Sequence, residues 1–371
     1  MLDRRLLKKL DFPLFLLTFL LLGIGLFAIG SATGAHTSGI GGTTIFVQRQ
    51  LISIGAGLVA MLVVISIDYN NFRRLSPLIY WGSIALLAVV FVPGLGEEVY
   101  GAQRWVRIGI FQLQPSEFAK IALIITLSDL LCRKQGELRE MKDLLLPMLH
   151  VALPLLLILR QPDLGTTMII LVTVLAMFFL AKVKPVHLAA IAGAGLAASP
   201  FLWLLLKDYQ RKRLMVFINP GIDPLGDGYQ IIQSRIAIGS GEIWGKGLFS
   251  GTQNQLQFLP MRHTDFIFSV IGEELGFIGG FLVLALFFFL LWRGIKIAME
   301  AKDLFGILIA AGIVASIGFQ TFINVGMAMG VMPVTGKTLP FLSYGGTSVM
   351  TSLISVGLLQ NIYMRRQKIL F

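Results

Sequence analysis

A single cysteine, Cys132, excludes an intramolecular disulfide. It sits at the end of an apolar run beside Arg133 and Lys134, and reads as passive rather than as a nucleophile. Charge is scarce. Only 14% of the 371 residues are Asp, Glu, Lys or Arg, against roughly 25% in soluble domains, so an ordinary soluble fold is excluded. Histidine numbers four, too few for a histidine-rich zinc site to be the natural reading. No internal repeat is visible, which weakens an inverted-repeat transporter. No low-complexity tract or linker marks off a second domain, so residues 1–371 read as one integral membrane domain. The stretch GSGEIWGKG has the glycines of a dinucleotide fingerprint, but no strand or βαβ unit precedes it and it is set aside.

What the chain has in abundance is apolar sequence, 56% of residues, with a mean hydropathy of +0.80. Apolar runs of bilayer-crossing length, about 17–25 residues, recur from end to end. They are continuous rather than alternating, which predicts an all-α polytopic membrane protein and not a barrel. The start, MLDRRLLKKLDF followed by FPLFLLTFLLLGIGLFAI, mimics a signal peptide, but its apolar part exceeds the usual length and reads as a retained first span. About ten spans follow the runs: Phe12–Ile29, Leu51–Ile67, Leu78–Val92, Pro115–Leu131, Leu144–Leu159, Leu164–Leu180, Val186–Leu206, Phe266–Trp292, Leu304–Gly330 and Phe341–Tyr363. Only RQPD separates the fifth and sixth, and Pro147 and Pro154 make the fifth irregular.

Lys and Arg set the orientation. With the N-terminus inside, the cytoplasmic segments hold Arg4, Arg5, Lys8, Lys9, Arg73, Arg74, Arg133, Lys134, Arg139, Lys142, Lys182, Lys184, Arg293, Lys296, Lys302, Arg365, Arg366 and Lys368. All are short and basic, as the positive-inside rule expects, and ten spans return the basic C-terminus to the same side. The net charge of +11 is therefore read as orientation, not as nucleic-acid binding. The opposite face carries GLGEEVYGAQRWVRIGIFQLQ, MGVMPVTGKT and a long extracytoplasmic loop, 207–264, between spans seven and eight. That loop holds Arg211, Lys212, Arg213, Arg235, Lys246 and Arg262. Loops of about 60 residues escape the charge rule, and clustered cations suit either a phosphate or lipid headgroups.

Candidate chemistry gathers on that outer face. Asp265, in LPMRHTDFIFSVIGEELG, falls at the start of the eighth span. The helix dipole favours its ionised form while burial raises its pKa, a combination that suits a base; a plain helix-start charge is the simpler physical reading. His263 and Asp265 form an H-x-D pair of weak metal-binding value, and one carboxylate holding Mg²⁺ beside a phosphate fits better. In QPSEFAKI, Glu117 and Lys120 are three apart on one helical face, either a structural ion pair or a cation lent to a substrate phosphate. In RQPDLGTT, Asp163 reads as a helix cap paired with Arg160, leaving Arg160 able to face a cavity. GAQRWVRIG adds Arg104, Trp105 and Arg107 at the lipid interface. Gly272, Gly276 and Gly280 suggest a close helix-packing face, with Glu273 and Glu274 as buried packing partners.

GAQRW, PSEFAK, QPDLGT, DYQRKRLMVFINPGIDPLGDGYQIIQSRIAIGSG, GTQNQLQFLP, RHTDFIFSVIGEELG and NVGMAMGVMPVTGKTLPFLSYGGTS together resemble the SEDS family of bacterial shape, elongation, division and sporulation proteins. DYQRKR, IAIGSG and GTQNQLQFLP are closer to its elongation type, RodA, than to its division type, FtsW. Met261 departs from the pattern, in which an acidic residue usually follows LP, so no carboxylate role carries over there. The resemblance implies a multi-pass peptidoglycan glycosyltransferase of the bacterial cytoplasmic membrane, with both termini cytoplasmic and an extracytoplasmic active site. It implies polymerisation of lipid II, with a growing glycan on undecaprenyl pyrophosphate as donor. Its partners would be a class B penicillin-binding protein, the transpeptidase, and other elongation-complex proteins. A divalent cation, Mg²⁺ or Mn²⁺, is expected, with ligands unknown. Asp265 maps to the family's essential aspartate, and Glu117 and Lys120 to its intramembrane pair. Arg104, Arg160, Arg213 and Arg262 are further candidates to hold the substrate's anionic group. A lipid II flippase is the rival reading, favoured by intramembrane Glu117, Lys120, Glu273 and Glu274; a scaffold for partner proteins is a third.

Overall fold

The computed structural model describes residues 9–34, 41–99, 102–108, 111–134, 138, 140–224 and 226–366. Arg4, Arg5, Lys8, Arg139 and Lys368, counted above among the inner cations, lie outside the described residues, as does Gly101 of GAQRW. Each of the ten apolar runs coincides with a helix: α1 Phe12–Gly34, α2 Gly41–Ser66, α4 Ser76–Val89, α5 Pro115–Arg133, α6 Leu145–Arg160, α7 Leu164–Leu180, α8 Pro185–Leu205, α12 Ile267–Glu300, α13 Leu304–Met329 and α14 Gly346–Met364. A short α3, Tyr69–Arg74, joins α2 to α4. Among the described residues, five segments are long and apolar enough to cross a bilayer: Phe12–Gly34, Ile45–Ser66, Met141–Arg160, Ile267–Glu300 and Leu304–Met329. The chain is an all-α, multi-pass membrane protein.

Local chemistry sets the boundaries. Pro115 at the first position of α5 needs no N–H partner there. Asp163 caps α7, its carboxylate accepting the Thr166 N–H at 3.1 Å, as the sequence predicts. Asp303 caps α13 through the Gly306 N–H, and α13 ends on left-handed Gly330. Helices α5, α13 and α14 carry many of the buried polar side chains, including Glu117, Lys120, Gln320, Asn324 and Gln360, and form the centre of the bundle with α2, α7 and α12 packed around them. By contrast α8 is largely exposed and touches mainly α7. Such a face is free to meet lipid.

Three features depart from the sequence reading. First, the connection between α4 and α5 folds as a small antiparallel sheet, β1 Gly96–Val99, β2 Ala102–Ile108 and β3 Phe111–Leu113. Alternation along β2 separates Arg104 and Val106 from Trp105 and Arg107, and Arg107 pairs with Glu97 at 3.8 Å. Second, α14 begins at Gly346 rather than at Phe341, because residues 331–345 run as irregular chain into the interior. Third, Gly276 breaks α12. Its φ of 64° leaves the helix, and a Cβ there would meet Gly245 N at 2.4 Å. Only glycine allows this approach. Residues 242–247 of the long connection lie against the break, with Phe277 N–H donating to Glu242 O at 2.8 Å and Lys246 N–H to Glu273 O at 3.0 Å. The Gly272–Gly276–Gly280 series is therefore not one continuous face against a neighbouring span: Gly272 approaches Ile238, whereas Gly276 is a break occupied by the connection. Within that connection lie α9 Asp208–Ile218, α10 Asp227–Ser240 and α11 Thr252–Gln255.

Candidate active site

The heads of α5, α7 and α12 meet the irregular 331–345 segment, and their charged side chains converge. Glu117, buried in the first turn of α5, pairs with Lys120 at 3.0 Å. The i,i+3 spacing predicts this contact, but it accounts for only half of the cluster. Lys337, 3% exposed, donates to Asp163 at 2.8 Å and lies 4.0 Å from Glu117. Two buried carboxylates and two buried ammoniums thus sit within one network. Asp163 accepts further hydrogen bonds from Gln114, Ser116 and the Thr166 hydroxyl. Burial works to raise its pKa, but the Lys337 and Arg104 cations, the Lys337 hydrogen bond and the Thr166 N–H hold it well below the usual carboxylate range.

Asp265 sits beside this network, just ahead of α12. The Met261 carbonyl, on a residue of positive φ, accepts the Thr264, Asp265 and Phe266 N–H groups and closes a tight turn. Gly336, φ 67°, passes so close that a Cβ on it would stand 3.6 Å from Asp265 Oδ2. Burial raises the Asp265 pKa, opposed by the fields of Arg213 and Lys337, a Thr264 hydrogen bond and Arg104. The side chain remains partly exposed, and among the described residues no cation comes within ion-pair distance of it. Here is a carboxylate kept accessible, with its basicity raised and with cations near enough to act on charge beside it but not to neutralise it. Such surroundings are chemically able to support proton uptake by the carboxylate.

The remaining candidates divide. Arg104 donates to the Gln161 carbonyl at 3.0 Å, to the Pro162 carbonyl and to Tyr209 Oη at 3.3 Å, bringing the sheet and α9 to the head of α7. Arg213 stands over the Tyr209 ring at 5.8 Å, and its field reaches Asp265. Arg262 turns away, its Nε donating to the Ala32 carbonyl at 2.6 Å, so it ties the Asp265 turn to α1. Arg160 is exposed, with its guanidinium over the Phe91 ring at 5.6 Å. The expected Arg160–Asp163 pair is not formed: Lys337 takes that carboxylate instead, because the head of α7 faces the 331–345 segment.

His263 packs between Phe46 and Tyr344, and burial together with Arg262 lowers its pKa. It is a packing group beside Asp265. Among the described residues no three of His, Cys, Asp and Glu come together to hold a metal. Glu273 accepts from Lys246 Nζ at 2.8 Å and from the Gln253 N–H at 2.9 Å, while Glu274 accepts from Ser31 and from the Phe249 N–H. Both are buried, as expected, but the partners of Glu273 and the Phe249 partner of Glu274 lie in the long connection, not on a helix-packing face. Lys337, Gln320 and Asn324 were not among the sequence candidates; a polar residue inside an apolar run was the available signal for the last two.

The FtsW/RodA/SpoVE cell cycle protein model matches residues 12–368. Similar proteins include Stage V sporulation protein E of Bacillus subtilis, 42% identical over 95% of this chain and 96% of that protein. The probable peptidoglycan glycosyltransferase FtsW of Trichlorobacter lovleyi is 41% identical, over 96% and 93%. The peptidoglycan glycosyltransferase MrdB of Escherichia coli is 38% identical, over 96% and 94%. Among solved structures, a chain of a peptidoglycan synthase complex that coordinates polymerization and crosslinking superposes with TM-score 0.82 at 34% identity, covering 97% of this chain and 99% of that one. The Rod shape determining protein RodA of Thermus thermophilus gives TM-score 0.72 at 30% identity, over 97% and 98%.

Proposed function

The chain belongs to the FtsW/RodA/SpoVE family, the SEDS proteins, and from that premise we propose how it works as a peptidoglycan glycosyltransferase polymerising glycan strands. The observation that carries the mechanism is an accessible Asp265 beside buried Lys337, which shares its ion-pair network with Lys120 through Glu117. In the reaction proposed, lipid II is the acceptor and a growing glycan on undecaprenyl pyrophosphate is the donor. The acceptor's sugar 4-hydroxyl attacks the donor's anomeric carbon from the face opposite the pyrophosphate. A C–O bond forms, the bond to pyrophosphate breaks, and configuration inverts. Asp265 takes the hydroxyl proton, a task worth about 10²–10⁴-fold. Lys120, Lys337, Arg104 and Arg213 offset the charge that develops on the departing pyrophosphate.

A divalent cation, expected from the family likeness, would find one protein ligand in Asp265 and the rest in pyrophosphate oxygens and water, the usual pattern for Mg²⁺. When bound, it would add to the neutralisation of the leaving group.

Ten spans with both termini in the cytoplasm would place this cluster at the outer face of a bacterial cytoplasmic membrane. There both substrates can keep their tails in lipid. A crosslinking transpeptidase of the penicillin-binding class is the partner this reading predicts, by likeness to the peptidoglycan synthase complex. Elongation remains the proposed setting on the motif wording, although sporulation and division relatives match at least as well by identity. Of the four groups that favoured a lipid II transporter, Glu273 and Glu274 are engaged in fastening the long connection, and Glu117 and Lys120 pair with each other beside Lys337. The test is polymerisation of labelled lipid II by purified Asp265→Asn protein. Loss of polymer is expected; near-normal glycan would refute the assignment.

A further inference from the structure

Two carboxamides stand one helical turn apart on α13, Gln320 (4% exposed) and Asn324 (0% exposed). Amides are costly inside a membrane bundle unless their hydrogen bonds are made. Asn324 Nδ2 donates to the Asp265 carbonyl at 2.8 Å and to the Lys337 carbonyl at 2.6 Å. Its Oδ1 is buried without a hydrogen-bond partner among the described residues. Both neighbours are carbonyl acceptors, so the amide must face them with its nitrogen. The residue is used as a donor of two hydrogen bonds.

Gln320 does the complementary work. Its Nε2 donates to the Thr338 carbonyl at 3.0 Å, and its Oε1 accepts from Lys120 Nζ at 2.6 Å. The carbonyls these amides take are ones that regular structure leaves open. Asp265 precedes the first residue of α12, and residues 337 and 338 lie in irregular chain.

We infer that Gln320 and Asn324 are a pair of positioning residues: one rigid helix face fixes Asp265, the Lys337–Thr338 backbone and the Lys120 ammonium at set separations. A single straight helix can do this where three separate connections cannot, because 320 and 324 lie on one face and α13 is buried over most of its length. The inference rests on the reading of Asp265 as the base, and it explains how a base on a turn and a cation on α5 keep register.

The test is steady-state lipid II polymerisation by Asn324→Asp, which keeps the side chain's shape and removes both N–H donors. The expected result is a fall in kcat of about tenfold or more, toward the ~10²-fold that a 1 Å misplacement costs. KM should stay within about twofold, since the charged groups themselves are kept and Lys120, which Gln320 holds, is assigned to charge that develops only as the pyrophosphate departs. Gln320→Met, which removes both of that residue's contacts, is measured alongside; should Asn324→Asp not fold, it is read alone and should show the same split. A folded variant with wild-type kcat, or one whose kcat and KM worsen together with its thermal midpoint, overturns the inference. Asp265→Asn run in parallel keeps the two ideas apart. Polymer from Asp265→Asn removes the base, whereas polymer from Asn324→Asp and Gln320→Met with none from Asp265→Asn removes only the positioning pair.

Discussion

At the scale of single residues, the cluster's charge balance makes the sharpest demand. Glu117 and Asp163 are buried with Lys120 and Lys337, so each cation is needed to keep a carboxylate from standing alone. Lys337→Met should therefore destabilise the protein by about 3–5 kcal/mol, the usual cost of removing one partner of a buried pair. Thermal unfolding in detergent measures it, and Asp163→Asn combined with Lys337→Met should recover part of the loss. The pH profile tests Asp265 separately. Its pKa is raised above the ordinary 3.8 by burial, and a base must be deprotonated. Activity should thus fall as pH drops through that raised value, an acid limb displaced upward from an ordinary aspartate, as read by initial polymerisation rates. The Glu117–Lys120 pair was legible because charges in an apolar run stand out and three-residue spacing fixes who meets whom; Asp265 stood out in the same way, but its reading as a base came from the family resemblance. Lys337 was not, because its partner Asp163 lies 174 residues away and only packing joins them.

At the scale of elements, continuous apolar runs predicted the helices well, because a helix in lipid must satisfy its own backbone and announces itself by length. The misses are places where backbone polar groups find partners outside their own helix. The β1–β3 sheet sits in a connection whose alternation covers too few residues to register as strands. The Gly276 break is repaired by residues 242–247, which no local pattern reveals. Gly276→Ala puts a side chain at φ 64° against Gly245 N and Ile243 O. With ψ at −160° this backbone lies in a region essentially reserved for glycine, a strain of about 1–3 kcal/mol, and the collision must push the connection away. We expect faster limited proteolysis between residues 241 and 258 and reduced polymerisation. Unchanged cleavage would show that α12 carries its break without the strap.

For the whole molecule, the decisive relation is between the Asp265 cluster and the two sides of the membrane. Helix α12 runs 34 residues from the cluster to Glu300, on the order of 50 Å at about 1.5 Å per residue, although its break shortens the span. The α12–α13 connection at Lys302 therefore lies at the end remote from Asp265. Asp208, fully exposed and one residue before Tyr209, lies at the near end, since Tyr209 meets Arg104. The orientation proposed above, on the positive-inside rule, has Lys302 in the cytoplasm and therefore the cluster outside. In a Cys132→Ser background, Asp208→Cys should react with a membrane-impermeant maleimide in intact spheroplasts, and Lys302→Cys only after permeabilisation. The reverse pattern would turn the bundle over, and it would deny a cytoplasmic-membrane polymerase its site on the wall side.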